Sequence, residues 1–200
     1  MRKIFNPISR LFRSPTERLQ SEISKSIFST KTSVIASDAD KTILCSNFKG
    51  DALETFPSLE KIRQLIKDGA DVNNIEQAGT PLARCADHYK TMVTWANSPS
   101  STLILANGHQ VTKQEWSSYA DRFLDAAKIL VEAGADPRVA PAAIPEATAT
   151  SALTYRSRLS DPDLIKDFAD LLSSAEAALV KKESQKHGTG RNLKGKNNEF

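Results

Sequence analysis

Long apolar runs are missing from this chain. Nowhere does it reach the roughly 20 consecutive apolar residues that a membrane-spanning helix needs. Cysteine is scarce as well. Cys45 and Cys85 are the only two in 200 residues, too few for a disulfide framework, and this argues for a reducing compartment. No glycine-rich phosphate loop occurs, because GTGRNLKGK near the C-terminus lacks the helix that must follow it. Metal ligands are few. Cys85 and His88, with His109, fall short of a complete set at compatible spacing. Cys85 and His88 stand one helical turn apart, as a nucleophile and base would, but Cys85 occupies a small-residue core position where an inert thiol is expected. No catalytic, metal or cofactor-binding residue is assigned. The chain reads as a non-enzyme with no cofactor and no small-molecule substrate.

Hydrophobic content of 40% and charged content of 26% are ordinary for a folded soluble chain, so one domain with tails is the starting expectation. The net charge of +3 conceals an asymmetry. Basic residues concentrate in positions 1–31 and 181–200, while the body between them is acidic. The opening MRKIFNPISRLF is basic, but Asn6, Pro7, Ser9 and Arg10 interrupt the unbroken apolar core that a secretory signal requires. Residues 1–13 are therefore read as a flexible basic leader. Residues 183–200, rich in Gly, Lys, Asn and Ser with little to bury, are read as a disordered basic tail.

Between them the helix signals are clear. Ser14-Pro15-Thr16-Glu17 combines an N-cap serine, a first-turn proline and a capping-box glutamate. Leu19, Ile23 and Ile27 continue it as a narrow apolar stripe. In SLEKIRQLIKDGADVN, Ser58 caps a helix whose face carries Leu59, Ile62, Leu65 and Ile66, and Gly69 falls where the helix turns left-handed. DRFLDAAKILVEAGAD repeats that logic, with Gly134 as its terminator. A further helix opens at Asp161-Pro162 and buries Leu164, Ile165, Phe168, Leu171, Leu172 and Ala175.

The run LIKDGADVNNIEQAGTPLARCADH resembles the ankyrin repeat. An apolar helix ends in Gly69-Ala70-Asp71, a turn passes through Asn73, and Gly79-Thr80-Pro81-Leu82 opens the next helix. Thr42-Ile43-Leu44 and Ser151-Ala152-Leu153 occupy the same opening slot in weaker form. Gly134-Ala135-Asp136 supplies a second ending, with Pro137 departing from the usual continuation. The resemblance implies an all-α solenoid of about three repeats near 40–74, 75–138 and 139–180. It sits within a 14–182 domain behind a capping helix at 14–30, and the third repeat closes the stack with a polar outer face.

Gly69 and Gly134 stand 65 positions apart, close to two ankyrin periods of about 33. Neither slot predicted for an intervening repeat is filled, at residue 102 or at residue 113. One oversized repeat is the preferred reading. Its first helix runs from Pro81 to Ala96, a short hairpin spans about 103–111 around Asn107-Gly108, and a return helix capped by Thr112 and Glu115 covers about 113–133. The insertion would project as an arm. Trp95, Trp116, Tyr89 and Tyr119 fall in it. Aromatic packing between the long helices is the preferred role of Trp116 and Tyr119, whereas packing and binding stand level for Trp95, which lies off the main stripe.

What the ankyrin resemblance implies is protein recognition through the repeat-connecting fingers and the concave face. The candidate partner-binding residues are Asn74, Glu76 and Gln77 in the first finger, with Trp95, Asn107, His109 and Trp116 in the insertion. The longer loop 138–150 is the second finger. The basic ends and degenerate repeats also resemble ankyrin proteins that intracellular bacteria deliver into host cells. That leaves two locations open: the cytoplasm of the producing cell or, after secretion, a host cytosol. The alternative class is a peripheral membrane or nucleic-acid adaptor, with the basic termini touching anionic lipid or nucleic acid.

Overall fold

The computed structural model describes residues 13–25, 32–38, 41–46, 56–76, 79–98, 101–105, 107–140, 148–154 and 162–189. Most of these residues are helical. α1 (Pro15–Ile23) and α2 (Leu59–Lys67) are followed by α3 (Pro81–Asn97), α4 (Lys113–Glu132), α5 (Ala149–Thr154) and α6 (Lys166–Thr189), with a 3-10 turn at Pro162–Ile165 leading into α6. Helix dominates, as an all-α reading requires. A three-stranded sheet accompanies it: β3 (Ser101–Leu105) begins the expected hairpin, while β1 (Thr32–Asp38) and β2 (Lys41–Ser46) were not announced by the sequence.

The helices pack in pairs: α1 on α2, α3 on α4, and α5 on α6. α3 also touches α1 and α5, while α4 touches α2 and α6. Two layers result, α1–α3–α5 and α2–α4–α6. α1 is thus more than a lid over one end. It partners α2 within its own pair, and it stops at Ile23, short of the 14–30 span expected for a capping helix. The chemistry that starts it recurs at α3 and α5. Ser14, Thr80 and Thr148 each accept a hydrogen bond from the backbone N–H three residues on, at 3.2, 3.2 and 3.1 Å, tying down a donor the helix cannot satisfy itself. Pro15 and Pro81 follow two of these caps in the position where a missing N–H costs nothing. For α5 the expected opening at Ser151 was three residues late, since the capping oxygen belongs to Thr148.

Two expectations fail at the strands and at the end of the chain. Thr42-Ile43-Leu44, expected to open a helix, lies in β2, antiparallel to β1 and parallel to β3, with Leu44 opposite both Val34 and Leu103. Runs of β-branched residues on both sides of Asp38-Ala39-Asp40 favour the extended form, and that local preference prevails over the weak helix slot. At the other end α6 continues past Glu183 to Thr189. Glu183, Gln185 and Lys186 are good helix formers, so a polar composition did not end the helix. Residues 1–12 and 190–200, the remainder of the expected leader and tail, lie outside the described residues.

β2 lies between α1 and α2, and β3 between α3 and α4. Their parallel pairing therefore joins the insertions of two successive helix pairs. The expected hairpin forms, with Val111 N–H donating to Leu103 O at 2.9 Å and Leu105 N–H to His109 O at 2.8 Å. It does not project as a free arm. Leu103, Leu105 and Val111 are buried in the common core. Trp116 and Tyr119 are buried too. Trp116 meets Trp95 at 5.4 Å and Tyr119 at 5.8 Å, and Phe56 stacks on Tyr119 at 4.2 Å. The α3–α4 aromatics serve packing, and Phe56 brings the entry of α2 onto the same cluster.

Candidate partner-binding surface

The turns that end α2 and α4 define one edge of the molecule. Gly69 and Gly134 have φ of +88° and +93°, a region where a side chain is strained, although no neighbouring atom would obstruct a Cβ at either site. The following N–H of Ala70 donates to Leu65 O at 3.0 Å, and that of Ala135 to Leu130 O at 2.9 Å, satisfying carbonyls left over at each helix end. Asn73 then bridges the two turns. Its Nδ2 donates to Gly134 O at 3.1 Å, and its Oδ1 accepts from Asp136 N–H at 2.7 Å. Turns far apart in sequence are therefore immediate neighbours in space.

On one side of this row lies α1, whose Thr16 Oγ1 accepts from Asp71 N–H at 2.9 Å and whose Gln20 Nε2 donates to Asn74 O at 3.0 Å. On the other side Arg138 Nη2 reaches both Asp136 Oδ2 and Glu183 Oε1 at 2.8 Å, fastening α6 to the second turn. Arg138 is exposed, so that contact adds little stability and mainly fixes position.

The finger leaves this row at Asn73. Glu76 and Gly79 pair across its tip, with Gly79 N–H donating to Glu76 O at 2.9 Å. Glu76 is held by Arg84 Nη2 at 3.3 Å, Asn74 is half-buried, and Gln77 lies outside the described residues. The neighbour that sequence reasoning passed over is Ile75, which is 42% exposed and one of two large apolar side chains left in solvent among the described residues. An isoleucine inside VNNIEQAG, polar on both sides, was the available signal. Between finger and α1 runs a groove of about 290 Å³ lined by Arg13, Glu17, Gln20, Ser21, Ser24 and Glu76. Of the loop 138–150, expected as a second finger, residues 141–147 lie outside the described residues, Ala149 and Thr150 already belong to α5, and Ala149 N–H donates to Pro137 O at 3.1 Å.

The insertion residues occupy the opposite end of α3, about 25 Å away for a 17-residue helix. Asn107 and His109 are exposed at the hairpin turn. Asn107 Oδ1 accepts from His109 N–H at 3.0 Å, and His109 Nε2 lies 2.8 Å from Glu115 Oε1 at the start of α4. Trp95 is half-buried against Trp116, and Trp116 is fully enclosed, so Trp116 offers no surface to a partner. Of the six described sequence candidates, Asn74 and Glu76 lie at one patch and Trp95, Asn107 and His109 at another, while Trp116 is enclosed.

Cys85 is fully buried, and burial pushes its thiol well above the ordinary range, which keeps it protonated. His88 is stacked on Phe123 at 4.8 Å, and burial lowers its pKa, favouring the neutral ring. A protonated, enclosed thiol is a poor nucleophile. Among the described residues no group of three or more metal-ligating side chains converges, and no helix is long and apolar enough to cross a membrane. No protein-family model matches the chain, and no curated protein or solved structure matches it either.

Proposed function

We propose that the chain is a non-catalytic binding module of the ankyrin-repeat type, which recognises another protein through its finger at 73–79. The supporting observation is the pair of hydrogen bonds by which Asn73 joins the turn after Gly69 to the turn after Gly134. Stacked turns beside two layers of helices are the arrangement of a repeat array, in which each unit buries its apolar face on the next. The units here are helix pairs whose caps, Ser14, Thr80 and Thr148, recur 66 and 68 positions apart, each long enough to hold its own insertion.

The finger carries the recognition. It presents an exposed isoleucine, between Asn74 and Glu76, on a backbone held at Asn74 O and by the Glu76–Gly79 pair, and such anchors lose little entropy on binding. The test is a photo-crosslinking amino acid at position 75, with a control at the exposed Lys128 of α4. The reading predicts a discrete protein adduct from position 75 that is absent from position 128 and is competed by unlabelled wild-type chain. Equal adduct patterns from both positions would refute it.

A further inference from the structure

Asn107-Gly108 is the one Asn-Gly pair in the sequence, and it stands exposed at the tip of the hairpin. Gly108 has φ of +83°, the left-handed position that closes a short hairpin loop, and its N–H donates to Leu105 O at 2.9 Å. The Asn107 side chain lies forward along the chain, where its Oδ1 accepts from His109 N–H at 3.0 Å. Its Nδ2 has no hydrogen bond among the described residues. In Asn73 and Asn97, by contrast, Nδ2 is held by Gly134 O at 3.1 Å and by Val93 O at 2.9 Å.

We propose that this tip is a self-modification site, at which Asn107 loses its side-chain amide and becomes aspartate or isoaspartate. Gly108 N gives its proton to solvent and bonds to Asn107 Cγ. The Cγ–Nδ2 bond breaks, and Nδ2 takes up a proton and leaves as ammonia. The cyclic imide then adds one water and opens on either side, giving the two acids without any oxidant or reductant. Three features of the turn favour the reaction. Gly108 has no side chain to obstruct the approach of its nitrogen, and the space beside it is open. The His109 N–H on Oδ1 strengthens its bond as that oxygen turns negative in the tetrahedral intermediate. The leaving nitrogen is unrestrained. One feature opposes it: Leu105 O holds Gly108 N–H, so local opening of the turn sets the pace.

The two products differ in what they do to the fold. Aspartate keeps an oxygen for His109 N–H and leaves the turn intact. Isoaspartate carries the main chain through Cγ and lengthens the loop by one carbon. The closing bonds, Leu105 N–H to His109 O at 2.8 Å and Val111 N–H to Leu103 O at 2.9 Å, then lose their match. Leu103 and Leu105 are buried, so the change at the tip reaches the core and alters the patch around His109 as the molecule ages.

The test is incubation of the full chain in mildly alkaline buffer at physiological temperature, followed by proteolysis and mass spectrometry that separates aspartate from isoaspartate. Both products should accumulate at position 107 before any change at Asn73, Asn74 or Asn97. Gly108→Ala should slow the reaction several-fold, and unfolding in urea should speed it by freeing Gly108 N–H. In the isolated isoaspartate form, hydrogen exchange at the Leu105 and Val111 amides should quicken about 2- to 10-fold, the range of one net hydrogen bond, while that at Ala70 and Ala135 stays as it was. An unreacted Asn107 beside a reacted Asn74 or Asn97 would overturn the proposal. So would aspartate formed without isoaspartate, which means direct hydrolysis with no imide. A rate indifferent to urea would overturn the turn as the restraint, and unchanged exchange in the isoaspartate form would overturn its effect on the fold. These outcomes are read on the wild-type chain, so they hold even if Gly108→Ala fails to fold.

Discussion

Asn73→Ala removes the two side-chain hydrogen bonds that join the stacked turns, to Gly134 O at 3.1 Å and from Asp136 N–H at 2.7 Å, without touching a core contact. Each net bond is worth about 0.5–1.5 kcal/mol, so the expected loss is about 1–3 kcal/mol. The lower half applies if water reaches both freed backbone groups; Gly134 is exposed, whereas Asp136 is half-buried. A loss of 2 kcal/mol corresponds to a fall in Tm of about 4–8 °C for a chain of this size, or a drop of about 0.7–1 M in the urea midpoint. Urea unfolding followed by circular dichroism measures it, and the slope should stay constant because little surface changes. Asn73→Asp keeps the acceptor for Asp136 N–H and loses the donor to Gly134, so it should cost less. Asn74→Ala, one residue along, should stay within about 0.5 kcal/mol, as surface changes usually do. A destabilisation below about 0.5 kcal/mol for Asn73→Ala would refute the coupling of the two turns.

Three further outcomes are expected. Glu22 is buried with Lys25 and Lys61 Nζ each 2.7 Å away and Ser58 N–H donating at 3.0 Å; burial by itself would raise its pKa, but these contacts outweigh it and hold the carboxyl below its ordinary value of 4.5. A depressed folded-state pKa stabilises the fold above the unfolded value, and that contribution fades as pH falls below about 4.5, so Glu22→Gln should cost about 1–3 kcal/mol at pH 7 in urea unfolding and progressively less in acid; a difference that does not change with pH would contradict it. Leu103→Ala should cost about 2–5 kcal/mol, because that side chain is fully buried in the hairpin, and a loss under about 1 kcal/mol would restore the hairpin as a detachable arm. Peptide-resolved labelling with iodoacetamide at neutral pH should leave Cys85 unmodified until the chain is unfolded, and rapid native labelling would show an accessible thiolate.

The parts of this fold that were legible in the sequence are those with local physical causes. Ser14-Pro15 and Thr80-Pro81 announce helix starts through capping and a tolerated proline, and Thr112 with Glu115 forms the capping box expected of it, Glu115 N–H donating to Thr112 Oγ1 at 3.2 Å and Thr112 N–H to Glu115 Oε2 at 2.7 Å. Gly69 and Gly134 mark helix ends through their positive φ, and Asn107-Gly108 turns the hairpin. What escaped depends on distant partners. The parallel register of β2 with β3 joins segments separated by α2 and α3, and no local pattern encodes it. α1 looked like a lid because its narrow stripe does not say what it will face. The surface was legible only in part: Asn74 and Glu76 do lie on the finger, but Trp116 is enclosed, and Ile75 was passed over. Gln20 went unnoticed because a glutamine on a helix usually faces water, and only tertiary packing buries it.

The turns after Gly69 and Gly134 are direct neighbours, one step apart in the stack. A nitrogen-edited NOE spectrum of the labelled full chain tests this through the side-chain amide of Asn73 and the backbone amide of Asp136. The stacked arrangement predicts a strong cross-peak between them, lost in Asn73→Ala. A hidden unit between the turns would separate them by two helix-packing steps of about 8–10 Å each, and the resulting absence of that cross-peak in a folded, assigned protein would contradict the claim.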